Sequence, residues 1–128
     1  MEEKNNPLSP HLQIYKWQIS SLLSITHRIV GVINTLAITI ICFWSLFLLL
    51  GAESYLMINI FFQSFLGKFV AVGLCWTFSF HILNEIRHLI WDAGYGFDLK
   101  VAKITGVLVF FGSFVLTILF YIIGKNIF

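Results

Sequence analysis

The chain has 128 residues, of which 59% are hydrophobic and 11% charged, with a formal net charge of +2 and a mean hydropathy of +0.90. That balance excludes a soluble globular domain and identifies an integral membrane protein, with room for a few spans and none for a separate soluble catalytic module. The eight basic residues form no cluster and no long basic face, which excludes nucleic acid as a partner.

Residues 1–20 read as a polar, turn-prone arm in which Pro7 and Pro10 bracket Leu8-Ser9, followed by Tyr15 and Trp17. The aromatic pair suits either headgroup-level anchoring or a docking arm. The first residues, Met1-Glu2-Glu3-Lys4-Asn5-Asn6, resemble neither an Arg-rich transit peptide nor the lead into a secretory signal. The expected location is therefore the bacterial inner membrane, with the mitochondrial inner membrane as the alternative for an organelle-encoded chain.

Ile29 to Leu50 is an uncharged run of 22 residues, about 33 Å of helix against a hydrocarbon core of about 30 Å. The lead-in Ser20-Ser21-Leu22-Leu23-Ser24-Ile25-Thr26-His27-Arg28 can start this helix earlier, since Ser and Thr cap exposed backbone donors. Ser24, His27, Arg28 and Gly31 then share a face. Arg28 and His27 suit either interfacial snorkelling or site chemistry.

The connector from Gly51 to Gly67 carries Glu53, Asn59 and Gln63 among Phe and Leu, a composition suited to a short interfacial helix. Phe69 to Ile86 supplies a second span, extended comfortably through Ile90, and Ile104 to Gly124 a third, uncharged throughout. Between them Ala93-Gly94-Tyr95-Gly96-Phe97-Asp98 is a glycine-punctuated turn, followed by Lys100 and Lys103. The expected fold is an all-α integral membrane bundle, one membrane domain with transmembrane helices at about 21–50, 67–91 and 104–124. Lys4, Lys16, Arg28, Arg87, Lys100 and Lys103 then fall on one side and Lys68 and Lys125 on the other, which favours an inside N-terminus. Cys42 and Cys75 lack metal-ligand spacing and read as small buried hydrophobes.

The second span carries the polar residues that lipid penalises. His81 and His88 stand seven apart on one helix face, Asp92 continues the stripe, and Asn84 and Glu85 lie between them. His81 is about 9 Å deeper than Arg87 along the helix, where a histidine either hydrogen-bonds a neighbouring helix or serves ligation or proton transfer. A deep neutral imidazole with cations nearer the surface suits a haem, whose propionates are less costly to bury beside positive charge. No other histidine in the chain lies at comparable depth, so a second axial ligand must come from another chain. Ser24 and Arg28, one turn apart, can present a hydroxyl and a guanidinium to one quinone carbonyl.

Two ordered motifs carry a family resemblance. Ser9-Pro10-His11-Leu12-Gln13-Ile14-Tyr15 with Ser24, His27-Arg28 and Gly31, followed by His81, Asn84, Ile86-Arg87-His88-Leu89 and Trp91-Asp92, resemble the membrane cytochrome b subunit of succinate dehydrogenase over nearly the whole chain. The resemblance implies that His81 is an axial ligand of haem b, shared with a companion small anchor subunit. It places His27, Arg28 and His88 near the propionates, and Ser24 and Arg28 at the ubiquinone site where the iron-sulfur subunit docks. It also implies a flavoprotein subunit that oxidises succinate, so this chain is not catalytic alone, and it gives Asp92 a fixing or proton-relay role. Three positions depart from the pattern: Asn6 stands where a basic residue often precedes Pro7, Val30 where a Thr often follows His27-Arg28, and Glu85 where a Gly is usual. Glu85 is the departure that bears on haem, since its carboxylate can be protonated, paired with an arginine, or repel a propionate. Two rivals follow, a haem-free structural anchor of the same complex and a small proton-coupled transporter using His81 and Glu85.

Overall fold

The computed structural model describes residues 16–49 and 51–127 of the chain. The motif at Ser9 to Tyr15 and the arm around Pro7 and Pro10 lie outside the described residues. Within them the protein is all helical: α1 (Ile19–Leu48), α2 (Ala52–Gln63), α3 (Phe65–Asp92) and α4 (Leu99–Ile127). Three of these helices are long and apolar enough to cross a membrane, over Ile19–Leu46, Phe65–Asp92 and Leu99–Lys125. The apolar connector between the first two spans folds as α2, the short helix its composition suggested.

Each junction has a local cause. Gly51 precedes α2 with φ of 126°, a conformation that L side chains rarely adopt. Ser64 then turns the chain sharply into α3: its hydroxyl donates to the Phe61 carbonyl at 2.6 Å and accepts from the Gly67 amide at 3.1 Å, capping the new helix. At the far end of α3, Gly94 has φ of 88°. The Gly94 amide donates to the Trp91 carbonyl at 2.8 Å and the Tyr95 amide to the Ile90 carbonyl at 3.1 Å, the paired bonds of a Schellman stop.

α3 is the central helix, packed against α4 on one side and α1 on the other. The core is thin, as expected where lipid covers the outer faces: Leu23, Val30, Phe80 and Val109 are buried, with Trp76 and Leu83 packed against them. Small and hydroxylated residues let the backbones approach, and Ser79 and Ser113 are completely buried, each returning its hydroxyl to a carbonyl of its own helix. Outward faces carry exposed Ile29, Val32, Leu36, Ile40 and Phe43 on α1 and Phe111, Val115, Ile118 and Ile122 on α4. Cys42 lies on such an outward face rather than in the interior, while Cys75 is half-buried; both are free thiols.

One polar pair ties α1 to α3 within the membrane. The Thr77 hydroxyl donates to Asn34 Oδ1 at 2.7 Å, and Asn34 Nδ2 approaches the Thr77 carbonyl at 3.4 Å, with both side chains buried. Asn34→Leu is expected to lower stability by about 1 kcal/mol, read as a lower thermal midpoint in detergent. The cost is modest because the Thr77 hydroxyl retains the Leu74 carbonyl at 2.8 Å as acceptor. An unchanged midpoint would mean that the pair contributes nothing to packing.

Candidate functional site: an imidazole stack between α1 and α3

α1 and α3 run in opposite directions, so the beginning of one meets the end of the other, and the polar residues of both spans gather at that end of the bundle. His27 from α1 is the centre. Its ring stacks on His81 with centroids 4.5 Å apart and planes at 19°, and on His88 at 5.4 Å and 20°. Against the sequence expectation, a second histidine therefore does lie at the depth of His81, brought there by the antiparallel packing of α1 on α3. His81 lies against Gly31, one turn beyond His27, where a Cβ would stand 3.5 Å from His81 Cε1.

Glu85 closes the cluster. Its Oε1 lies 2.9 Å from His27 Nε2 and 3.9 Å from His81 Nε2, with half of the carboxylate side chain exposed. The shorter contact lacks hydrogen-bond alignment, and His27 Nε2 is buried without a directed partner, as is His81 Nδ1. The contact is therefore one of charge and proximity. Of the pairings open to Glu85 in the sequence, the structure shows none with arginine; the carboxylate meets a histidine from the other helix instead.

His88 is fixed differently. Its Nδ1 lies 2.7 Å from the Asn84 carbonyl, an acceptor that requires the proton on Nδ1 and leaves Nε2 as the acceptor nitrogen of the neutral ring. Trp91 covers its other side with centroids 5.3 Å apart. Asn84 itself is almost wholly buried, and its side-chain oxygen has no hydrogen-bond partner.

Arg87 does not join this cluster. Its Nε donates to Thr105 Oγ1 at 3.1 Å and its Nη2 to the Ala102 carbonyl at 2.9 Å, while the guanidinium lies 4.1 Å from the centre of a Trp91 ring. It is buried against α4. The polar stripe of α3 is thus split, with histidines and Glu85 toward α1 and Arg87 toward α4. Arg28 is the cation left on the histidine side. It is exposed on α1 one turn from exposed Ser24, and neither has a polar partner among the described residues. Asp92 is exposed at the end of α3.

The class so defined is a three-span helical membrane subunit with an imidazole stack at one end and an exposed hydroxyl and guanidinium at that same end. Residues 2–120 match the family described as succinate dehydrogenase/fumarate reductase transmembrane subunit, and the chain belongs to that family. A succinate dehydrogenase cytochrome b556 subunit of Rickettsia felis is 43% identical over 116 residues, covering 91% of this chain and 90% of that one. The cytochrome b556 subunit of Paracoccus denitrificans is 33% identical over 119 residues, covering 93% and 92%. The mitochondrial cytochrome b560 subunit of Mus musculus is 38% identical over 113 residues, covering 82% of this chain and 63% of that one. The family expected from the two motifs is the family found, and the chain is a non-catalytic membrane subunit of an enzyme complex.

Proposed function

We propose that this chain anchors the flavoprotein and iron-sulfur subunits of succinate:ubiquinone oxidoreductase to the membrane together with a companion small anchor subunit. In this reading it borders the ubiquinone site and holds haem b through His81. The observation that carries the reading is the presence of exposed Ser24 and Arg28 at the same end of the bundle as the His27, His81 and His88 stack. That end is assigned to the inside face, because Lys16, Arg28, Lys100 and Lys103 lie there and Lys68 and Lys125 lie at the other.

Haem fits these residues under one condition. His81 Nδ1 is buried and unpartnered, and Nε2 has only the Glu85 carboxylate near it, 3.9 Å away. Iron held by His81 Nε2 would meet that carboxylate, so Glu85 would turn outward, for which its half-exposed position leaves room. When bound, the haem supplies a one-electron centre beside the quinone. His81 would be its ligand in this chain, with the other axial ligand from the companion subunit, and exposed Arg28 with His27 and His88 would meet the propionates. Arg28 and Ser24 would orient the quinone by donating to one carbonyl, a charge-assisted contact on the side of α1 that Arg87 does not reach.

The test is co-purification of the chain with flavoprotein and iron-sulfur subunits under mild detergent, followed by assays of the complex. Arg28→Leu is expected to lower ubiquinone reduction by about one to two orders of magnitude, while succinate oxidation by an artificial acceptor is spared. Equal loss of both activities would count against the quinone role, and isolation as a homo-oligomer without flavoprotein would count against the anchor. A haem-free anchor is the second reading, favoured by the proximity of Glu85 to His81; an intact complex with no haem band would select it.

A further inference from the structure

We infer that His27, His81 and Glu85 form a site for a divalent transition-metal ion, zinc(II) fitting best, which the chain can hold while haem is off His81. The three side chains come from two helices and offer two imidazole nitrogens and a carboxylate oxygen, all within 4.8 Å of one another. Zinc binds such donors at about 2.0–2.2 Å, so tetrahedral ligands stand about 3.4 Å apart. The observed separations of Glu85 Oε1, 2.9 Å from His27 Nε2 and 3.9 Å from His81 Nε2, straddle that value. Seating an ion turns the His27 and His81 rings out of their stack, in which the planes stand at 19°, until the two nitrogen lone pairs converge.

Three further features agree with a metal rather than a simple ion pair. His27 Nε2 is buried without an aligned hydrogen bond, a cost that coordination to a cation removes. The carboxylate offsets part of a dipositive charge, and imidazole donors select zinc or a similar transition ion over calcium and magnesium. Half exposure of Glu85 leaves a route of entry and an open fourth position for water. The site depends on Glu85, the position where the family pattern usually has glycine. It is exclusive with haem, because both use His81, and the cation keeps Glu85 in place where haem would require it to turn outward.

The cation site stands on these three side chains alone, and the haem reading enters only through the expected competition. The test uses the full chain in detergent, stripped with a chelator and titrated with cobalt(II) as a spectroscopic probe. One equivalent of cobalt with tetrahedral visible bands is expected, displaced by zinc. Glu85→Gln and His27→Gln should each weaken binding at least about tenfold, whereas Asp92→Asn, a surface carboxylate at the same end, should leave it unchanged. Absence of saturable binding, or an affinity in Glu85→Gln and His27→Gln unchanged from the parent chain, overturns the site. Added haem should expel the cobalt. With the companion anchor subunit present, cobalt binding without haem uptake refutes the haem reading alone, and haem uptake without cobalt binding refutes the cation site alone.

Discussion

Replacing His81 with alanine is expected to abolish the haem b band in the reduced-minus-oxidised spectrum of the purified complex while leaving the subunits assembled. The loss should be complete because no other imidazole of the described residues can take over. His88 stands seven residues nearer the end of α3, about 10 Å along the helix from the His81 position, and His27 Nε2 has the Glu85 carboxylate 2.9 Å away. Assembly should survive because His81 makes no hydrogen bond into the core, and its side chain is already one-third exposed. Its stack on His27 contributes about 1 kcal/mol at most. The spectrum and the subunit stoichiometry are read from the same preparation. A persisting band would move the axial position to another residue, and loss of the complex itself would make His81 a folding residue.

The second large effect is expected far from the histidines. Gly67→Ala should lower the stability of the subunit by about 3 kcal/mol, at the upper end of what overpacking costs. A Cβ at this buried position would stand 2.7 Å from Phe62 Cα and 2.8 Å from the Phe61 carbonyl carbon, and would overlap the Phe61 oxygen. All three are backbone atoms of α2, so nothing can rotate away and the corner made by Ser64 must open. The sign is diagnostic. In an unobstructed helix, alanine in place of glycine stabilises by about 1 kcal/mol, so a raised thermal midpoint would show that α2 does not lie against the start of α3. Gly106 makes a useful contrast, since a Cβ there meets mainly the flexible end of Leu23. Gly106→Ala can be relieved by a rotamer change.

These two sites differ in how far the sequence foretold them. His81 stands out because an ionisable residue inside a span is costly in lipid, and its spacing to His88 requires no knowledge of the neighbours. Ser24 and Arg28 are legible for the same reason, being polar residues one turn apart at the edge of an apolar run. The role of Gly67 is invisible in one dimension, because the atoms it must avoid belong to the preceding helix and arrive there only through the turn at Ser64. The Asn34 and Thr77 pair was open to detection, as Asn34 is the only side-chain amide in its apolar run; its partner 43 positions away was not.

The sequence by itself determined the membrane class, the three spans and which histidine, serine and arginine residues are candidates for the site. Apolar runs of sufficient length and the cost of burying charge in lipid are local properties that need no tertiary contact. Tertiary structure decided which residues meet. A helix that is apolar nearly all round has no strong amphipathic direction to say which face meets which neighbour. Close approach at Gly31, Ser79 and Ser113 settles that question. It turned Arg87 toward Thr105 and Trp91 on α4, brought His27 between His81 and His88, and set Glu85 against a histidine of α1.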